Sequence, residues 1–598
     1  MKIKNVIKKR FALIGLILLF WVPFFVCCGQ KKETIGPTHP KESVKTETHV
    51  TVEETKEEMT MTEKFEKFLE SYTQDMKKLE KEESYASWMA YSTGGDYYKK
   101  MEEATIAKKK YLSDPQKFSF LKEALQSGEI KQPFLKRQLE LIYLRFLENQ
   151  IPSDLMEKMV KLSTEIEETF NTFRGKVDGK EYSRNDVMNV LKESKDSAMR
   201  KKIWEAHKEV GNLVSEKLKN LIKLRNEAAQ KLGFNNYREM QLFLQEYDPK
   251  MLDALFEEID SKTKAPFEKY KAQLDKVLAK KFKIKPENLM PWHYSDPFFQ
   301  EPPQLTEIDY DAYYKDKDIV AIAKEFYLSF GLDPEPILKR SDLLPKPGKS
   351  EHAFCFTIDR EEPDIRVLCN ITPSDRWMET LLHELGHAFY DSYYTPDMPW
   401  ELREPAHIFT TEGIAQLFGE MTKNPYWLKE TLGLGDKDLK KITIPTLKQK
   451  ALGRLVFARW SLVMYYFEKM LYENPEQDLS KLWWDLVEKY QEIHRPPDRN
   501  MPDWATKDHI VSAPVYYHNY IIGQMFQCQL QKRLAKEAGE SDPIKVIFRG
   551  KNELGKFLID NVFRLGSSLK WDEFVVKSTG EPLGVDAYVE SLEWGMKQ

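Results

Sequence analysis

Apolar residues recur at helical spacing over most of this chain. From Phe65 to about Lys285 one amphipathic stretch follows another, and Leu221–Ala229 is a clear case, predicted to stop at Gly233. Charged faces such as Lys77–Glu83 read as solvated surface. Pro291–Pro303 is an aromatic, proline-rich connection in which Trp292, His293 and Tyr294 are placed to line a cleft, and Asp318–Phe330 reads as a further helix. The period then changes. His352–Ile358 and Ile365–Ile371 are β-type runs on either side of Asp359–Asp364, which predicts a hairpin with an edge free to hold an extended peptide. Helical spacing returns immediately: Leu381, Leu385 and Ala388 form one apolar stripe, and Ile414, Leu417, Phe418 and Met421 repeat the i, i+3, i+4, i+7 pattern. Pro396, Pro399 and Pro405 break the chain between these two helices. Neither a short repeat nor a sustained heptad is present.

The amino terminus has another character. Lys2, Lys4, Lys8, Lys9 and Arg10 precede Phe11–Val26, which is uncharged and apolar, the n-region and h-region of an export signal and too short for a comfortable membrane span. Cys27-Cys28-Gly29 follows, so residues 1–28 are expected to be a signal ending at a lipidated Cys28, and the protein to be an exported, membrane-anchored lipoprotein on a periplasmic or outer face. Residues 29–64, dense in Lys, Glu and Thr, read as a solvated tether, and 65–598 as the folded domain. A net charge of −4 with 31% charged residues gives no pull toward nucleic acid. Of five cysteines two sit at the processing site; Cys355 and Cys369 either pair across the hairpin or stay as two core thiols, and Cys528 completes the set.

The first of the two late helices carries the chemistry. His383 and His387, four apart, point their imidazoles at one spot, with Glu384 flanking the same face. Two neutral imidazoles suit Zn²⁺, which in catalytic sites takes three protein ligands, and the adjacent carboxylate is placed to act as a base toward water. A third ligand has to come from another segment. Glu412, 25 positions after His387 (412 − 387), sits near the start of the second helix with Thr410 or Thr411 as its cap. It is a candidate ligand and equally a first-turn acid favouring the helix dipole, and spacing leaves both readings open. Farther on, Tyr517 and Tyr520 share a face if helical, and a phenol and an imidazole such as His509 suit an oxyanion. On residue type alone these are core tyrosines, and Lys507 a surface lysine.

His352-Ala353, the His383–His387 motif, Glu412, Trp483-Trp484-Asp485-Leu486 with Lys489-Tyr490-Gln491, Lys507-x-His509, Tyr517 with Tyr520, Arg564–Ser568 and Thr579-Gly580-Glu581 occur in one order. In these, over roughly Phe65–Trp594, the sequence resembles the zinc peptidyl-dipeptidases of the angiotensin-converting-enzyme family and, more distantly, thimet oligopeptidase and neurolysin. The resemblance implies an all-α, two-lobed helical ellipsoid with a deep central cleft and a small β-hairpin next to the zinc helix. It implies one Zn²⁺ held by His383, His387 and Glu412, with Glu384 as general base and acid. Tyr520 and His509 would stabilise the tetrahedral intermediate, His352 and Ala353 would hold the peptide backbone, and Lys507 and Tyr517 would grip a free terminal carboxylate. The expected function is hydrolysis of short peptides with release of carboxyl-terminal dipeptides, by a monomer. Four departures stand out. Gln416 replaces the family's aspartate one turn after the glutamate ligand, the family's glutamine anchor has no counterpart around Trp292–Tyr294, Asn519 replaces an arginine associated with chloride activation, and one extra residue separates His509 from Tyr517. The rival readings are an internal-cleaving oligopeptidase and a lipid-anchored binding protein that has lost activity.

Overall fold

The computed structural model describes residues 59–304 and 308–595. The segment expected to direct export, Cys28, and the expected tether up to residue 58 lie outside them. Helix α1 (Met61–Thr93) starts four residues (65 − 61) ahead of the boundary expected at Phe65. The reason is a capping box: the Glu63 amide donates to Thr60 Oγ1 at 3.3 Å, and the Thr60 amide donates to the Glu63 carboxylate at 2.8 Å. Phe65, Tyr72 and Met76 of α1 share a small core with Leu121, Ile142 and Phe146 of the helices that follow. A much larger core runs on from Leu155 to Leu592.

Helices dominate, as expected, and the described residues contain two antiparallel two-stranded sheets. The first, β1 (Gly175–Val177) with β2 (Lys180–Tyr182), was not foreseen; it leads directly into α2 (Arg184–Glu193), capped by Ser183. The predicted Leu221–Ala229 segment lies inside α3 (Val210–Lys231), and Gly233 follows with a φ of 92°. The stretch expected at Asp318–Phe330 is α4 (Ile319–Leu328), with Asp318 as its cap, accepting from the Ala321 amide.

The second sheet is the anticipated hairpin, β3 (Phe354–Asp359) and β4 (Asp364–Leu368), trimmed so that His352 and Ala353 precede the strand. Cys355 pairs with Val367, which sets Cys369 two residues farther along rather than opposite, and both cysteines are free thiols. α1 lies over this hairpin. Trp88 packs on Ile358 and Leu368, and Lys81 pairs with Asp359 and Lys77 with Glu361, each at 2.6 Å. Then come α5 (Asp375–Ser392), α6 (Ile408–Gly419), the long α7 (Asp436–Glu473) and α8 (His518–Glu537). Among the described residues no helix is long and apolar enough to cross a membrane.

Candidate metal centre

α5 is capped by Ser374, whose hydroxyl accepts from the Trp377 amide. Its stripe of Leu381, Leu385 and Ala388 is fully buried, and this leaves His383 and His387 facing the other way. α6 begins differently from expectation. His407, not Thr410 or Thr411, is the cap: its ring nitrogen accepts from the Phe409 amide while Nε2 meets the Gln245 carbonyl at 2.9 Å. Glu412 is therefore past the first turn, which removes the dipole reading, and Thr411 is released for another task. Two glycines let three helices approach closely. A Cβ on Gly386, inside the motif, would stand 2.9 Å from Ala415 Cα, and one on Gly413 would stand 2.8 Å from the Gly523 carbonyl of α8.

That approach brings the three candidate ligands together. Nε2 of His387 and Nε2 of His383 are 3.2 Å apart, and His383 Nε2 is 3.8 Å from a Glu412 carboxylate oxygen. All three donor atoms lie within 4.8 Å of one another. Donors on a tetrahedral zinc with bonds of about 2.0–2.1 Å stand about 3.3 Å apart, so the set fits this ion. Burial pushes His383 down to about 4, and burial with the neighbouring imidazole pushes His387 down to about 3, so both are in the neutral form that binds a metal. His383 and Glu412 keep 28% and 27% of their side-chain surface, which leaves the centre open to a ligand. Glu384 is buried, accepts from the Cys355 amide, and is pushed up to about 8 by burial and by Glu412. A dication beside it would draw that value back down.

The outer partner of His387 is Thr411, whose hydroxyl is 2.6 Å from Nδ1. Gln416, which stands where the resemblance places an aspartate, has its buried Oε1 without a partner among the described residues. Nothing in the spacing pointed to Thr411 because its role depends on His407 taking the cap.

The downstream residues also converge. The rings of His509, Tyr517 and Tyr520 pack on one another with centroids 5.2 to 6.4 Å apart, and Glu412 is close enough to help burial raise Tyr520. Tyr517 Oη accepts from Trp460 Nε1 at 2.6 Å, leaving its own proton free to donate. Lys507 is not on the surface: it is 2% exposed, lies over the Tyr517 ring, and burial pushes it down to about 8. Its Nζ donates to Gln300 Oε1 at 3.0 Å. Gln300 thus brings a side-chain amide to Lys507 from just beyond Trp292–Tyr294, which are themselves buried. Asp508 Oδ1 lies 2.9 Å from His509 Nδ1. Asn519 is buried, with its two amide atoms bonded to Gln245 and to the Tyr247 hydroxyl. His352 and Ala353 lie on the approach to β3, two or three residues from the amide that Glu384 accepts from. Two cavities flank these groups, one of about 530 Å³ reaching Thr411 and one of about 560 Å³ reaching Asp508.

The peptidase M2 family model, angiotensin-converting enzyme, matches residues 59–588. Angiotensin-converting enzyme of Mesocricetus auratus is 27% identical over 274 residues, covering 44% of this chain and 20% of that protein. Angiotensin-converting enzyme-like protein Ace3 of Mus musculus is 22% identical over 431 residues (66% and 57%), and angiotensin-converting enzyme-related protein of Drosophila melanogaster 24% over 308 residues (48% of each). The chain thus spans a fifth of the length of the first of these and about half that of the other two. The family match runs through both ligand helices and the downstream cluster, and the chain belongs to the angiotensin-converting enzyme family of peptidases.

Proposed function

We propose that this protein is a zinc metallopeptidase that hydrolyses short peptides and releases carboxyl-terminal dipeptides. The observation that carries the reading is the approach of His383, His387 and Glu412 to tetrahedral spacing beside a buried carboxyl, Glu384. Held by those three residues, a zinc ion would act as a Lewis acid toward the scissile carbonyl and toward water. Glu384 takes a proton from the attacking water and returns it to the leaving amine, a task for which a carboxyl poised near neutrality is suited. Tyr520 stays a protonated phenol because burial and nearby Glu412 both oppose its ionisation, and with His509 it donates to the oxygen that becomes negative. His352 and Ala353 hold the substrate backbone at the strand edge. Lys507, Tyr517 and Gln300 take the substrate's terminal carboxylate, one by charge and two as neutral hydrogen-bonding groups.

The same placement supports the remaining proposals. Asn519 is neutral, with both its amide atoms bonded to protein, and offers no cation to a chloride at that position. Residues 1–28 support export and anchoring through a lipidated Cys28, which would hold a monomeric peptidase at a membrane face. The test is mass spectrometry of the products of a mixed peptide library, with and without a chelator. Chelator-sensitive loss of two residues from free carboxyl ends is expected. Internal cuts, with equal rates on amidated peptides, would favour an oligopeptidase, and no turnover by the zinc-loaded protein would leave a binding scaffold.

A further inference from the structure

Asp508 occupies the variable position of Lys507-x-His509, where the sequence pattern asks for nothing. Its carboxylate nevertheless has two directed partners. Oδ1 is 2.9 Å from His509 Nδ1, and Oδ2 accepts from Arg184 Nη1 at 2.9 Å. Arg184 opens α2, and its backbone is set by a capping box in which the Ser183 amide and hydroxyl donate to Asp186 at 2.8 and 2.7 Å. Arg184 and Asp508 face each other on the wall of the 560 Å³ cavity. Burial acts to raise Asp508, but the His509 bond, Lys507 and Arg184 outweigh it and hold the carboxyl well below its usual range, so the group is an acceptor only.

A neutral imidazole carries one proton, and a carboxylate at Nδ1 keeps it there. Nε2 is then a lone pair, and it donates once the ring carries both protons. The geometry points to Asp508 as the positioning residue for His509: its carboxylate fixes the ring's orientation and tautomer, and Arg184 holds that carboxylate from across the cavity. This rests on the peptidase reading, in which His509 Nε2 donates to the developing oxyanion. The charged and titratable groups around the pair are Lys507 on its own segment, Arg184 of α2, His207 and Glu167 on the same cavity wall, and Tyr517 and Tyr520 at the start of α8. None of these is a second carboxylate for Nδ1.

The test is steady-state kinetics of the zinc-loaded full chain as Asp508→Asn, Asp508→Glu and Arg184→Gln, each also in a His509→Gln background. Asp508→Asn is expected to lower kcat about 10- to 100-fold with KM nearly unchanged, in the range of losing one oxyanion donor or one orienting partner. Asp508→Glu should restore part of kcat. Arg184→Gln, at an exposed pair, should cost a few-fold in the same direction. In the His509→Gln background both effects should vanish. Wild-type kcat in Asp508→Asn, or a loss that persists without His509, would overturn the inference. Nitrogen NMR of the imidazoles in Glu384→Gln protein reads the tautomer with no need for turnover. A proton on Nε2 alone refutes the role of Asp508 whether or not peptides are cleaved. A proton on Nδ1 that shifts in the Asp508→Asn, Glu384→Gln double variant upholds it even if the peptidase reading fails.

Discussion

The metal centre and the Lys507 cluster are both buried polar assemblies, and burial disfavours the cationic form in each, yet the two are left suited to opposite charges. His383, His387 and Glu412 come from α5 and α6, two neighbouring helices, and burial strips the imidazoles of charge. The result is a neutral nitrogen pair with one carboxylate, a donor set that suits a divalent cation. Gln300, Trp460, Lys507 and Tyr517 come from four stretches spread over 217 positions (517 − 300), and burial there presses on a cation. Lys507 meets an amide oxygen and aromatic faces, and among the described residues no carboxylate forms an ion pair with it. That end, with Asp508, Asp296 and Glu301 near but not paired to the lysine, can take an anion. On the proposed function a zinc ion would answer the first region and a substrate's terminal carboxylate the second, so the two regions together define a substrate better than either does alone.

The comparison breaks hardest at Glu384. Glu384→Gln should retain bound metal, measured by elemental analysis, while kcat falls about 10³-fold, within the range for losing a general acid–base group. Unchanged turnover would remove the proposed chemistry from this centre. Thr411→Val keeps the shape but deletes the 2.6 Å bond to His387, and metal affinity should drop about 10- to 100-fold in a chelator competition, as for other outer partners of ligand histidines. At the other end, Lys507→Met should lower kcat/KM about 10- to 100-fold on peptides with a free carboxyl end, the magnitude of a lost charge-assisted bond, and leave amidated peptides unaffected. If both substrates suffer equally, Lys507 serves packing and not recognition.

The same lysine gives a pH signature. Its positive form is present below about 8 and is lost above it, so KM for free-carboxylate peptides should stay flat at neutral pH and climb as pH rises through about 8. Amidated peptides should show no such rise. The smallest effect belongs to Gln300→Leu, which removes one neutral hydrogen-bonding group and should raise KM about fivefold.

Much of the metal centre is legible because its geometry is local. A spacing of four on a helix aligns His383 with His387 whatever the rest of the chain does, and the apolar stripe of Leu381, Leu385 and Ala388 says which face is left for chemistry. The hairpin beside it is equally local, and only its ends and the relation of Cys355 to Cys369 had to wait for the register. Glu412 was half legible: its distance along the chain permitted ligation, but excluding the dipole role required knowing that His407 caps α6. Misreading Lys507 as a surface residue has a clear cause. A lone lysine is normally solvated, and nothing near it in sequence announces the aromatic walls of Phe298, Trp460 and Tyr517 that bury it.

By itself, then, the order of residues decides the helical class, the strand pair ahead of the motif, and the two imidazoles with their neighbouring carboxyl, since each follows from contacts between residues a few positions apart. Only the tertiary structure decides which glutamate completes the triad, that Thr411 rather than Gln416 orients His387, that Gln300 joins Lys507, and that Arg184 reaches Asp508. These contacts join residues separated by 24 to 324 positions, and those between α5 and α6 are possible because glycines at 386 and 413 let these helices and α8 close to contact distance.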